Sequence, residues 1–177
     1  MRIYPAHLAG IWTLASGEAL LLRPIRHDDG DREVAFLRAL SRETLYQRLL
    51  SGGRKLTRQL VDSLTHIDYR SQMAYAVTTT TEGTERFVGV GRYVVDTPTA
   101  SAELALVLAD AWQRQGLGRR LLETLVEHAR IAGVREAVGT VFATNRVMLR
   151  LARSVGFAVR AESGDATVKR IVRTLAA

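Results

Sequence analysis

Ala109-Asp110-Ala111-Trp112-Gln113-Arg114-Gln115-Gly116-Leu117-Gly118-Arg119-Arg120 separates a β-prone run, Ala102 to Leu108, from an amphipathic stretch, Leu117 to Ala132. A strand, a glycine-bearing loop and a helix in that order favour an anion. The first amides of a helix have no intrahelical partners and its N-terminus is partly positive, so phosphate oxygens are well received there. Gly116 and Gly118 keep side chains out of the way. Arg114, Arg119 and Arg120 add formal charge, and the next acidic residue after Asp110 is Glu123. Physics alone also allows a plain glycine-containing helix start. A Walker loop fits worse, since no Gly-Lys-Ser/Thr follows, and the three-glycine dinucleotide spacing is missing.

Downstream of this loop, Leu117, Leu121, Leu122, Leu125, Val126 and Ala129 form one broad helical face, which Gly133 ends. A strand from Ala137 to Phe142 precedes a short helix with Met148, Leu151, Ala152 and Val155 at i, i+3, i+4, i+7 spacing, stopped at Gly156-Phe157. Phe157 to Arg160 and Thr167 to Thr174 read as a hairpin around Gly164-Asp165. Upstream, MAYAVTTT from Met73, a turn at Glu82-Gly83 and RFVGVGRYVVD read as another hairpin, ended by Thr97-Pro98.

The N-terminal third opens with a β-prone strand or hairpin, Gly10 to Leu14 and Leu20 to Ile25. Then it turns helical. His27-Asp28-Asp29-Gly30 offers capping side chains ahead of Val34, Leu37 and Leu40, and a second helix starts near Ser41. Gly52-Gly53 breaks it, and Thr57 caps a third helix carrying Leu60, Val61 and Leu64. This order predicts a mixed α/β (α+β) sandwich with a mostly antiparallel sheet covered by helices on both faces, in a single domain over residues 1–177.

At 177 residues and 47% hydrophobic, the chain has enough apolar matter for a sizeable core. Cysteine is absent, which removes disulfides, thiolate metal sites and thiol nucleophiles, and no metal site is expected. No segment is apolar for long enough to span a membrane, and a cytoplasmic location is expected. A net charge of +7 favours a polyanionic or phosphate-bearing partner.

Gln113-x-x-Gly116-x-Gly118 resembles the acyl-CoA signature of GNAT acetyltransferases, in that family's strand-loop-helix setting. Asn145-Arg146-Val147-Met148-Leu149 and Gly156-Phe157 are similar to its second cofactor segment. A narrower likeness runs through Leu22-Arg23-Pro24-Ile25-Arg26, Leu40-Ser41, Leu45-Tyr46, Leu64-Thr65-His66-Ile67-Asp68-Tyr69 and Ala102-Glu103-Leu104-Ala105. These resemble the acetyltransferase domain of bacterial protein-lysine acetyltransferases that act on acyl-CoA synthetases.

The resemblance implies an acetyl-CoA-dependent N-acetyltransferase that acts without a metal on a primary amine, with a protein lysine the leading acceptor. By the same likeness, backbone groups of Leu106, Val107 and Leu108 would meet the acetyl and pantetheine portion. Gln113, Arg114, Gln115, Gly116, Leu117, Gly118 and Arg119 would hold the pyrophosphate, and Asn145 would bind cofactor. A core strand and a helix cap are the plain readings of Leu106–Leu108 and Asn145.

Acetylation needs a neutral amine, so a base or a water chain to one is expected. Glu103, sharing a strand face with Ala105 and Val107, is expected to be partly desolvated, and the likeness implies that it is the general base. His66, Asp68 and Tyr69 are weaker candidates. Where many GNAT enzymes place a tyrosine as general acid, seven residues after the asparagine, this chain has Ala152. With no cysteine to carry an acyl group, direct attack is implied.

Two alternatives fit the residues: a catalytically silent acyl-CoA sensor, and a basic nucleic-acid-binding domain presenting Arg146, Arg150 and Arg153. Polyamines, aminoglycosides, amino acids and peptide N-termini are further acceptors, and a homo-oligomer is open.

Overall fold

Apolar side chains bury most of the strands on one face or on both, and the computed structural model, which describes residues 3–49 and 57–175, assembles them into one sheet. The strands are β1 (Gly10–Thr13), β2 (Ala19–Pro24), β3 (Gln72–Thr81), β4 (Thr84–Asp96), β5 (Ser101–Leu108), β6 (Glu136–Phe142), β7 (Ala158–Glu162) and β8 (Asp165–Thr174). Their order is β1-β2-β3-β4-β5-β6-β8-β7. Every neighbouring pair is antiparallel except β5 and β6.

Among the described residues, α1 (Gly30–Ala39), α2 (Arg42–Leu49) and α3 (Arg58–Thr65) precede β3, α4 (Leu117–Ile131) joins β5 to β6, and α5 (Arg146–Ser154) follows β6. Helices cover both faces, as the sequence predicted. On one face Leu117, Leu121, Leu122, Leu125 and Ala129 of α4, with Leu149 and Ala152 of α5, pack against Tyr75, Tyr93, Leu104 and Leu108. On the other, Phe36 and Leu37 of α1 meet Ala74, Ala76, Val90 and Val107. The apolar period of 3.6 in α4 aims its leucines at the sheet, and its hydroxyl contact with the sheet is a 2.8 Å bond between Tyr93 Oη and His128 Nδ1.

β4 and α4 approach closely at Gly91, where a Cβ would lie 2.8 Å from Leu125 Cδ1 and 2.9 Å from Leu121 Cγ. Both leucines are fully buried, so they have little room to yield. Gly91→Ala is expected to destabilise the chain by about 1–3 kcal/mol, read as a lower urea midpoint at unchanged m-value.

Thr57 caps α3 as expected, its Oγ1 accepting from Leu60 N at 3.2 Å. Gly52-Gly53 lies outside the described residues. The start of α1 differs from expectation. Asp29 precedes α1 but gives it no side-chain cap. Its carboxylate is completely buried and accepts from Arg23 Nη1 and Nη2 at 2.7 and 2.8 Å, and from Arg26 N at 2.8 Å. Arg23 in turn donates to Glu85 from Nε and Nη2 at 2.8 and 3.0 Å. A buried guanidinium needs counter-charge more than the helix needs a cap.

Candidate active site

The loop after β5 makes a short helical turn at Asp110–Trp112 and reaches α4 through Gly116. Gly116 has φ +83°, the left-handed region that glycine enters without penalty. It supplies no side-chain cap, and the first turn of α4 holds no acidic residue. The amides of Leu117, Gly118 and Arg119 therefore open toward the loop at the positive end of a 15-residue helix.

The two glycines have different reasons. A Cβ on Gly116 would meet open space, whereas one on Gly118 would lie 3.3 Å from Leu151 Cδ2 and 3.5 Å from Leu108 Cδ1. Gly118 lets α4 sit close to α5 and the end of β5. Leu117 is buried in the core, leaving only its backbone to the loop. Gln113 points inward, its Nε2 donating to Leu108 O at 3.2 Å and Thr44 Oγ1 at 3.4 Å. Gln115 Nε2 donates to Ala111 O at 2.9 Å. Arg114 is exposed, with φ +60°. Arg119 pairs with Glu123 at 2.8 Å, and Arg120 lies 4.6 Å over the Trp12 ring, so the charge sequence reading gave to the loop is partly spent elsewhere.

Beside the loop the sheet opens. β5 and β6 pair at Ser101↔Glu136, Ala102↔Ala137 and Glu103↔Val138, and pairing stops there although both strands run on. The result is a wedge. Ala109 N donates to Val88 O in β4 at 2.9 Å, and Arg135 N, just ahead of β6, donates to Ala100 O at 2.8 Å. Alternation along β5 thus turns the peptide groups of Leu104, Leu106 and Leu108 toward the wedge, and those of Val107 toward β4. Leu106 is the residue there whose N–H and C=O have neither a β6 partner nor the Gln113 side chain that occupies Leu108 O.

Glu103 stands at the closed end of the wedge. Its side chain shares the α1 face with Ala105 and Val107, as the spacing predicted. It lies between Val94 on β4 and Val138 on β6. It is exposed rather than partly desolvated, because Val94 beside it is itself 46% exposed and no described helix covers this end.

The remaining candidates have structural partners. Asn145 Oδ1 caps α5, accepting from Met148 N at 3.0 Å. Ala152 is fully buried against the core, and no proton donor stands at that position. Asp68 accepts from Arg70 N at 2.9 Å and Gln72 N at 2.8 Å, holding the turn into β3. Tyr69, at φ +57°, donates to Ile25 O at 2.8 Å, and burial pushes its phenol up. His66 is exposed, its Nδ1 3.1 Å from Asp62 O and its ring 5.0 Å from that of His27.

A charged cluster that sequence reading missed lies under the same face. Arg92 of β4, cross-strand from Ala105, donates to Leu64 O at 3.2 Å and stands 3.9 Å from Glu33 of α1. Burial pushes the Glu33 carboxyl up, against the pull of Arg92 and of Arg48 on α2. Burial and then Arg48 lower the Arg92 guanidinium to about 10, with Glu33 opposing. The three residues come from three elements, and no local pattern announces them.

The N-terminus of α2 is tied to the loop. Asp110 accepts from Ser41 N at 2.9 Å, Ser41 Oγ at 2.7 Å and Thr44 Oγ1 at 2.7 Å, and these bonds hold its carboxyl below the usual range. The whole arrangement suits a diphosphate joined to an extended, amide-bearing arm: bare helix amides for the first, an unpaired strand edge for the second.

Residues 37–157 match the family model described as the acetyltransferase (GNAT) family. Acetyltransferase PA5475 of Pseudomonas aeruginosa is 33% identical over 155 residues, covering 88% of this chain and 83% of that protein. Acetyltransferase Pat of Mycolicibacterium smegmatis is 30% identical over 142 residues, covering 80% of this chain; the aligned region is 42% of Pat. The crystal structure of the GNAT domain of S. lividans PAT superposes with TM-score 0.87 at 29% identity, covering 98% of this chain and all of that one.

Proposed function

Because this chain belongs to the GNAT acetyltransferase family, whose members transfer an acyl group from acetyl-CoA, we propose that it acetylates a protein lysine by direct attack, with Glu103 as general base. Acetyl-CoA supplies the activated acetyl group. The observation that carries the reading is the wedge: an unpaired β5 edge running from an exposed carboxylate to a bare helix N-terminus.

Each residue then has a task. The amides of Leu117, Gly118 and Arg119 receive the pyrophosphate, and the Leu106 peptide group pairs with the arm and faces the thioester carbonyl as its oxygen gains charge. Glu103 takes the proton from the acceptor ammonium, directly or through water, so that a neutral amine attacks. As the tetrahedral adduct collapses, the C–S bond breaks and the second proton of the attacking nitrogen passes through water to the departing thiolate, since Ala152 offers none. A macromolecular acceptor is supported by the exposure of Glu103 and Val94, which leaves room for a lysine carried on a protein surface, and by the likeness of Ala102–Ala105 to protein-lysine acetyltransferases.

Calorimetric titration of acetyl-CoA tests the site. Gly116→Val forces a β-branched residue to a positive φ and puts its side chain in front of the helix amides, and is expected to weaken binding by about tenfold or more. Equal affinity in wild type and variant would remove the loop from the site.

A further inference from the structure

The wide end of the wedge has a cover that the acetyl-transfer chemistry does not use. Glu103 pairs with Val138, so four residues on, Val107 and Phe142 lie level across the gap. Phe142 shares the face of Val138, which is the face that α2 crosses. There the Tyr46 ring of α2 stacks on Phe142, with centroids 4.7 Å apart and planes at 4°. At the start of α2, Ser41 and Thr44 are bound by Asp110 of the loop, and Gln113 reaches Thr44 as well. α2 therefore runs from the phosphate loop across β5 and is fastened to β6 by one ring pair.

Residues 42–48 of α2 are all exposed or half-buried, with Leu45 its one described contact to the core on that side. Arg48, at its far end, reaches the charged cluster of Glu33 and Arg92, and the other described residues hold α2 by surface hydrogen bonds and an aromatic stack, contacts that open at lower cost than an apolar core face. Tyr46 itself is 43% exposed, so its ring can leave Phe142 without disturbing buried packing.

We propose that α2 is a strap over the wide end of the wedge, pinned by Asp110 and clasped by Tyr46 on Phe142. In this arrangement Tyr46 and Phe142 are positioning residues that retain the acyl-CoA arm beneath them. The inference rests on reading the wedge as the channel of that arm. The clasp closes the acceptor face at the wide end and leaves the Glu103 end for the amine. Because the pin belongs to the loop that receives the pyrophosphate, filling the loop steadies the strap, and the arm is held before the acceptor arrives.

Release of acetyl-CoA from the full chain, followed by stopped-flow chase, tests this in Tyr46→Ala, Tyr46→Phe, Phe142→Leu and the double variant Tyr46→Ala/Phe142→Leu. Loss of one stacked pair is expected to speed release roughly fivefold in Tyr46→Ala and in Phe142→Leu. The double variant is expected to release no faster than Tyr46→Ala, because both changes remove one interaction. Tyr46→Phe keeps the ring and is expected to behave as wild type. Unchanged release in a Tyr46→Ala protein of wild-type melting temperature, effects that multiply in the double variant, or a Tyr46→Phe defect equal to that of Tyr46→Ala would each overturn the clasp. Failure of wild type to bind acetyl-CoA would instead remove the channel, and the strap with it.

Discussion

Glu103→Gln is expected to lower kcat/KM for amine acetylation by about 100-fold or more while leaving the calorimetric affinity for acetyl-CoA unchanged. The substitution keeps size and hydrogen-bonding capacity and removes only the ability to hold a proton. Glu103 lies beyond the unpaired stretch of β5, at the last rung shared with β6, so the surfaces that would take the arm and pyrophosphate stay intact. Full activity in the variant would transfer the proton to water alone. Tight acetyl-CoA binding in both proteins, with no amine-dependent thiol release across protein and small-amine panels, would favour a sensor.

The largest effect on stability is expected at Asp29. Asp29→Ala leaves the buried Arg23 guanidinium with Glu85 as its remaining carboxylate partner and is expected to cost about 3–5 kcal/mol. For a chain of this size that is a fall of roughly 10 °C in Tm by calorimetry. Burial pushes the Asp29 carboxyl up, but the Arg23 hydrogen bonds and the Arg26 amide outweigh it and hold it below its usual value. The sign follows. A depressed carboxylate contributes stability that is complete above the unfolded-state value and is lost as pH falls through the folded one. Wild type is therefore expected to lose Tm below about pH 4, and Asp29→Ala to show a shallower acid dependence. Glu33 acts oppositely: its raised carboxyl favours the fold at low pH and loses that contribution as pH rises through the folded value. A Tm for Asp29→Ala within a degree or two of wild type would show that Glu85 alone neutralises Arg23.

Much of this was legible where the signal is local. The Glu82-Gly83 turn, the Thr57 cap and the α4 leucines each fix their element through neighbours a few residues away, and the glycine-bearing loop marked the helix start that the structure leaves bare. What stayed hidden depends on distant partners. Asp29 reads as a cap until Arg23, in β2, is known to be buried beside it. Arg120 reads as charge lent to the loop until β1 brings Trp12 beneath it. Glu103 reads as half-covered until the end of the β6 register is known, and that register also creates the wedge. The cluster of Glu33, Arg48 and Arg92 has no sequence signature, because α1, α2 and β4 meet only through the sheet order.

The three rungs joining β5 to β6 also bear on how the chain's folding depends on its surroundings. The sheet is left one partner short along Leu104 to Leu108, and an extended ligand that pairs there completes the ladder as a strand would. Such a ligand binds only the native form, so the free energy of unfolding rises by RT ln(1 + [L]/Kd) with the supply of that ligand. Acetyl-CoA would then be both reagent and structural complement. The abundance of correctly folded enzyme, and not merely its turnover, would track the acyl donor pool of the cell.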